Sequence, residues 1–422
     1  MPRSDGEEGV RRPSSTQKAQ KAAGRGLDWL NLFVANVQTG FGPFLSVYLT
    51  TAGWTQTSIG LALSLGTVTA MASQVPAGAL VDAVRRKSLV ALFSILAFTA
   101  SALFFTIAPI PLFVYLGQVL HAFSSCTLGP AMVALSLAVV GQSALALRLG
   151  RNARFGAIGN AMGAALMGAC GYYISERSVF FVTAVLTIPA LAALLPLARF
   201  EKKATPLAQP AERSREERPR PRSVLRVVGD RRLLIFAASA SLFTFANAAM
   251  LPLASSAITK QLPGQASLLI AACIVLPQLV MALLSPRIGL LAQTHGRKAV
   301  LLLGFGILPL RGVLLAVLPD PTLVILVQVL DGITAACFGV MVPLVTTDIA
   351  ARSGHLNLSL GFVGFAIGVG ATLSTTVAGW ISDNFGDPAA FLALASIAFE
   401  ALLMVWLAMP ETRPTPVWTD DE

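Results

Sequence analysis

Four ionisable side chains lie where so apolar a chain can least tolerate them. His121, Arg311, Asp331 and Glu400 each interrupt an apolar run, and Asp28 and Asp348 sit near the ends of two others. A charge at membrane depth is costly, so such groups are retained where they pair, line a polar cavity or carry protons. Counting inward from Pro111, Pro321 and Pro388, His121 and Asp331 lie 10 residues deep and Glu400 lies 12, roughly 15 to 18 Å at about 1.5 Å per residue. That is near the middle of a hydrocarbon core roughly 30 Å thick. A carboxyl group in a partly dry cavity and an imidazole both exchange protons within reach of neutral pH, so Asp331 and His121 are candidates to carry one. Gln118 and Gln328, three residues earlier, share a helical face with them, while Asn36, Gln38 and Asn247 add polar groups on other runs. Arg311 lies at a similar depth, with Asp331 or Glu400 as partner. Pairing with Glu400 is the expectation, because that carboxylate would otherwise stand alone in the membrane, and it leaves Asp331 free to titrate; pairing with Asp331 would instead push that carboxyl group's pKa down and argue against proton carriage.

Other chemistries lack their residues. Three histidines in total leave no metal cluster, no Ser-His-Asp or Cys-His constellation lies outside the apolar runs, and no phosphate loop is present. No enzyme activity, cofactor, metal or ATP-driven pumping is expected.

The elements that must position these groups are membrane helices. The chain is 55% hydrophobic and 12% charged with a mean hydropathy of +0.71, too apolar for a soluble protein. Twelve runs reach the roughly 20 residues a span needs: 27–50, 57–80, 88–108, 112–138, 154–175, 179–199, 233–254, 266–289, 299–318, 322–347, 357–381 and 388–408. The predicted organisation is a disordered polar tail over 1–25 without a signal-peptide core, a six-helix bundle over 26–199, a basic linker over 200–231, a second bundle over 232–409 and a tail over 410–422. The fold class is therefore an all-α integral membrane protein. Of 31 Lys and Arg, all but Arg177, Lys260 and Arg311 fall in the tails, the linker and the loops on one side. That bias places both termini and the linker in the cytoplasm and accounts for the net charge of +10 without nucleic acid. Cys126, Cys170, Cys273 and Cys337 all fall in apolar runs and read as packing residues.

The two halves repeat one another. Gly-Ala-Leu-Val-Asp-Ala-Val-Arg-Arg-Lys over 78–87 is answered at an offset of 211 by Gly-Leu-Leu-Ala-Gln-Thr-His-Gly-Arg-Lys over 289–298. Ala35-Asn36 is answered by Ala246-Asn247 at 211, and Gln118-Val119-Leu120-His121 by Gln328-Val329-Leu330-Asp331 at 210. A shared period across several helix pairs points to a duplicated six-helix unit with pseudo-two-fold symmetry.

With these motifs the chain resembles the major facilitator superfamily from about residue 25 to 410. The family pattern is close to Gly-x-Leu-x-Asp-x-x-Gly-Arg-Lys. Gly78, Leu80, Asp82, Arg86 and Lys87 match in the first copy, with Arg85 in place of Gly. Gly289, Leu291, Gly296, Arg297 and Lys298 match in the second, with Gln293 in place of Asp. The resemblance implies two bundles around a central cavity lined by helices one, four, seven and ten, so that His121 and Asp331 face each other across it. It implies a cytoplasmic gate at the two loops, in which Asp82 pairs with Arg86 or caps helix eleven near 353–357. The helix-four Arg of the proton-coupled drug antiporters is absent from Gln118–Ala122, and their Gly-Pro-x-x-Gly-Gly survives only as Gly159-Asn160-Ala161-Met162-Gly163-Ala164. The implied activity is alternating-access transport of a small organic solute across the cytoplasmic (inner) membrane by a monomer, coupled to protons. Efflux is the first expectation and proton-coupled uptake symport or uniport of a small metabolite the second, with a non-transporting receptor or scaffold as the reading from another class.

Overall fold

The computed structural model describes residues 15–39, 45, 48–49, 52, 54, 56–175, 177–203, 227, 229–261, 266–318, 320–351 and 354–413. These residues form twelve helices and no strand: α1 (Ser15–Thr39), α2 (Gln56–Ala83), α3 (Lys87–Ile107), α4 (Pro111–Val140), α5 (Leu145–Tyr173), α6 (Ser178–Lys203), α7 in two pieces (Arg231–Ala248 and Met250–Gln261), α8 (Ala266–His295), α9 (Arg297–Val317), α10 (Pro321–Ala350), α11 (Leu356–Phe385) and α12 (Asp387–Ala408). Residues 1–14 and 414–422 of the predicted tails and most of the linker lie outside the described residues. Residues 15–25, read as tail, are helical and continue into α1.

Nine of these helices are long and apolar enough to cross a membrane, among the described residues. Of the other three, α1 carries Lys18, Lys21, Arg25 and Asp28, and α5 carries Arg148, Arg151 and Arg154. Local chemistry sets the helix starts. Pro111 and Pro321 open α4 and α10 at positions where no N–H is needed, and the Asp320 carboxylate accepts from the N–H groups of Thr322 (2.8 Å) and Leu323 (3.2 Å).

Packing follows the repeat. In the first half α1 packs on α5 and α6, α2 on α4, and α3 on α4 and α6; in the second α7 packs on α11 and α12, α8 on α10, and α9 on α10 and α12. Each bundle has its own apolar core, one around Leu27, Phe98, Phe105 and Phe180 and the other around Phe236, Phe243, Phe305 and Leu344. The bundles meet along two seams, α2 with α11 and α5 with α8. The first turns of α5, through Leu145, Ala146 and Leu149, join the core of the second bundle. Both seams close at one end, that of the loops carrying Arg85, Arg86 and Arg297, called here the basic end.

Candidate functional site

Asp320 and Pro321 set the entry of α10 so that Gln328 and Asp331, three residues apart, face α9 and α7. Arg311 of α9 is 1% exposed. Its Nη1 lies 2.6 Å from Asp331 Oδ1 and donates to Asn247 Oδ1 of α7 at 2.5 Å, while Nη2 donates to Gln328 Oε1 at 2.8 Å. One cation thus ties three helices together through a carboxylate and two amides. Arg311 Nε and Gln328 Nε2 are buried with no acceptor among the described residues. The Asp331 side chain is 20% exposed, so the cluster is partly open at this residue.

The expected Arg311–Glu400 pair is not formed. Glu400 is exposed on α12, whose buried face carries Ala398 and Ala401 instead. Its depth matches that of Arg311, but its direction around the helix axis does not.

The equivalent place in the first bundle has other chemistry. The His121 ring packs edge-on against Phe98 of α3 at 5.2 Å between centroids. His121 and Asp331 each turn to the third helix of their own bundle, which corrects the expectation that they face one another. Where α9 has Arg311, α3 has Ser101 at the same 210 offset, fully buried and donating to the Gly117 carbonyl at 2.7 Å. Gln118 is buried with Nε2 3.3 Å from the Ala62 carbonyl of α2. Asn36 is buried where α1 crosses α5, and a Cβ on Gly163 would stand 3.0 Å from its Oδ1. Gln38 is half-buried near the end of α1. His121 and Gln118 thus make contacts inside their own bundle. Towards the basic end, Asp28 of α1 binds both Arg148 and Arg151 of α5, the second at 2.6 Å.

At the seams, four glycines occur as symmetry-related pairs. A Cβ at Gly78 would stand 2.1 Å from the Asn357 carbonyl oxygen, and one at Gly289 2.5 Å from that of Ala146. A Cβ at Gly361 would stand 2.2 Å from the Gln74 oxygen, and one at Gly150 2.4 Å from that of Ser285. Each residue and its contact recur 211 positions apart, so duplication has produced the same backbone-to-backbone approach twice. The side chains beside them differ. Asp82, offered Arg86 or the start of α11, takes the second: Oδ1 accepts from the Asn357 backbone N–H (3.1 Å) and Nδ2 (2.6 Å), and Oδ2 from the Leu358 N–H (2.8 Å). Arg86 is exposed. Gln293 has one bond across its seam, from Nε2 to the Ser143 carbonyl at 3.1 Å. Arg297 Nε donates to Asp348 Oδ2 at 2.7 Å, and Asp348 Oδ1 accepts from Gln142 of the other bundle at 2.7 Å.

Two carboxylates at the basic end escaped the sequence reading. Glu201 accepts from the N–H groups of Lys87 (2.7 Å) and Ser88 (3.1 Å) at the start of α3. Glu411 accepts from those of Arg297 (2.9 Å) and Lys298 (3.1 Å) at the start of α9. Burial alone would raise the Glu411 carboxyl, but the N–H groups of Arg297, Arg413, Lys298 and Thr412 outweigh it and hold it below the usual range. The available signal was the offset, since Glu201 and Glu411 are 210 apart. The same caps explain Arg85. The first loop has three residues between helices and the second only Gly296, at φ +95°. The longer loop turns through Arg86 at φ −101° and needs no glycine. Lys87 Nζ closes it by donating to the Val81 (2.7 Å) and Val84 (2.8 Å) carbonyls, and Lys298 Nζ donates to the Trp406 carbonyl at 2.8 Å.

Known proteins resemble this arrangement along its whole length. The sequence profile of the Major Facilitator Superfamily matches residues 28–276 and 239–422. Mycobacterium tuberculosis proteins from strains CDC 1551 and H37Rv, described as uncharacterised MFS-type transporters, are 38% identical over 402 residues, covering 93% of this chain and 94% of theirs. Among solved structures, the transporter FucP in its outward conformation superposes with a TM-score of 0.70 at 15% identity, over 92% of this chain and 98% of that one. The human organic anion transporter MFSD10 does so with 0.66 at 14% identity, over 93% and 100%.

Proposed function

Because the chain belongs to the Major Facilitator Superfamily, we propose that it is a secondary transporter in which the Arg311 cluster binds a small organic solute and Asp331 carries the coupling proton. The observation behind this is the makeup of the cluster: a buried cation, one carboxylate on a partly exposed side chain, and two buried N–H donors without acceptors. Asp331 is ion-paired and not the free carboxyl group first expected, so in this scheme it takes up the proton only as a solute replaces it at Arg311. A solute that brings an acceptor oxygen then replaces it and takes up the spare donors of Arg311 and Gln328, so the buried cation is never left bare. Proton and solute bind together in this scheme, which favours symport, the second expectation. Efflux would require proton and solute to exclude one another, as they would if a cationic solute displaced Arg311 from Asp331. The likeness of fold to an organic anion transporter is in keeping with a solute rich in acceptors.

The excess of Lys and Arg at the basic end puts that end and both termini in the cytoplasm. With both seams closed there, the conformation is outward-facing, in keeping with the outward FucP match. Asp82, the four seam glycines and the Gln142–Asp348 bond act as the cytoplasmic gate of a monomer in the cytoplasmic membrane.

The test is a ligand-stabilisation screen on purified protein, followed by proton uptake in liposomes. Solute-driven proton movement is expected in the parent and lost in Asp331→Asn, which retains solute binding. Undiminished proton movement in Asp331→Asn overturns the coupling role.

A further inference from the structure

A groove on the membrane-facing side of the first bundle has no part in the transport scheme. It is an open groove of about 480 Å³ between α1 and α6, lined by Gly26, Trp29, Phe33, Pro189, Ala193 and Pro196. Gly26 creates it: a Cβ there would stand 2.8 Å from the Ala193 carbonyl oxygen, so the helices cross in backbone contact and diverge on either side. Trp29 is 51% exposed and stacks on Phe33 at 6.0 Å, forming a flat apolar wall. From Arg25 to Phe33 the groove follows eight residues of α1, about 12 Å of helix.

Its chemistry changes at the basic end. On α1 the stripe continues from Arg25 to Lys21 and Lys18, four and seven residues back on the same face, and on α6 it continues from Pro196 to Arg199; all four of these cations are exposed. The nearby acids are already engaged, Glu201 by the start of α3 and Asp28 by Arg148 and Arg151. Among the described residues Arg25 has no acidic partner. An apolar groove that opens towards exposed cations at the end of membrane helices matches a molecule with an acyl chain and an anionic head.

We infer that this groove is a binding site for an anionic phospholipid, with one acyl chain against Trp29 and Phe33 and the phosphate at Arg25 and Arg199. Cations beside a membrane surface favour anionic headgroups, and long basic side chains reach out from apolar surroundings to meet them. The site is distinct from the Arg311 cluster, which lies in the other bundle.

The test uses purified full-length protein in phosphatidylcholine vesicles containing either dibrominated phosphatidylglycerol or dibrominated phosphatidylcholine, with tryptophan fluorescence as readout. The difference between the parent and Trp29→Phe isolates the Trp29 signal. Brominated phosphatidylglycerol is expected to quench Trp29 more strongly, and Arg25→Gln to reduce its apparent affinity about five-fold. Equal quenching of Trp29 by both lipids overturns the inference. So does a preference that survives in the Arg25→Gln, Arg199→Gln double variant, because the rim then does not select the headgroup.

Discussion

The two bundles set equivalent residues at equivalent depth and give them different work. In the second, Arg311, Asp331, Asn247 and Gln328 make one charged cluster; in the first, Ser101, His121 and Gln118 are spread over separate neutral contacts. The packing of the duplicated unit is kept, and at this depth the charged cluster is found in the second copy, the first having its own ion pairs nearer the basic end, at Asp28, Arg148 and Arg151. A transporter needs two similar halves so that either end can close, whereas the proposed scheme needs a coupling charge only once. The seams show the same division: glycine contacts are paired, whereas Asp82 has three bonds and Gln293 one.

The largest test of this contrast is Arg311→Ala, which strands Asp331 and two amides and is expected to cost about 3 kcal/mol of stability. Thermal unfolding in detergent is the measurement, with His121→Ala as its counterpart in the first bundle. Equal losses would erase the distinction between the bundles. Next come the seams, where Gly78→Val and Gly289→Val should each disfavour the closed basic end by about 1 to 3 kcal/mol, because the facing group is backbone. Cysteine labelling from the two sides should move towards the basic end by a similar amount in both, and a shift in only one would show that the seams are not equivalent. Asp82→Asn weakens the capping of α11 and should shift the same labelling by about 1 kcal/mol, well above the effect of Gln293→Ala; equal shifts break the asymmetry.

The smallest expected effect concerns Glu411. Its carboxyl is held below the usual range in the folded protein, so its contribution is complete above the ordinary carboxylate value and is lost as pH falls through its own lower one. The parent should therefore exceed Glu411→Gln in thermal stability at neutral pH, and the gap should close in acid. A gap that widens in acid would reverse the sign.

Much of this was legible in one dimension. Apolar run length marked the helices, and the 211 and 210 offsets carried the pseudo-symmetry down to single glycines. The near miss was at the loops, where the offset changes by one residue and hides the Glu201 and Glu411 caps. The plain miss was the partner of Arg311. Depth, which the sequence does report, allowed both Asp331 and Glu400.

By itself, then, the sequence determined the helices, their duplication and the few charges that had to lie inside them, because the cost of exposing polar backbone or unpaired charge to lipid acts on each segment separately. Only the tertiary structure decided which of those charges meet. Side-chain direction around a helix axis depends on how neighbouring helices are rotated against one another, and that rotation is set by the packing of whole faces, such as the apolar face that turns Glu400 outward and leaves Arg311 to Asp331.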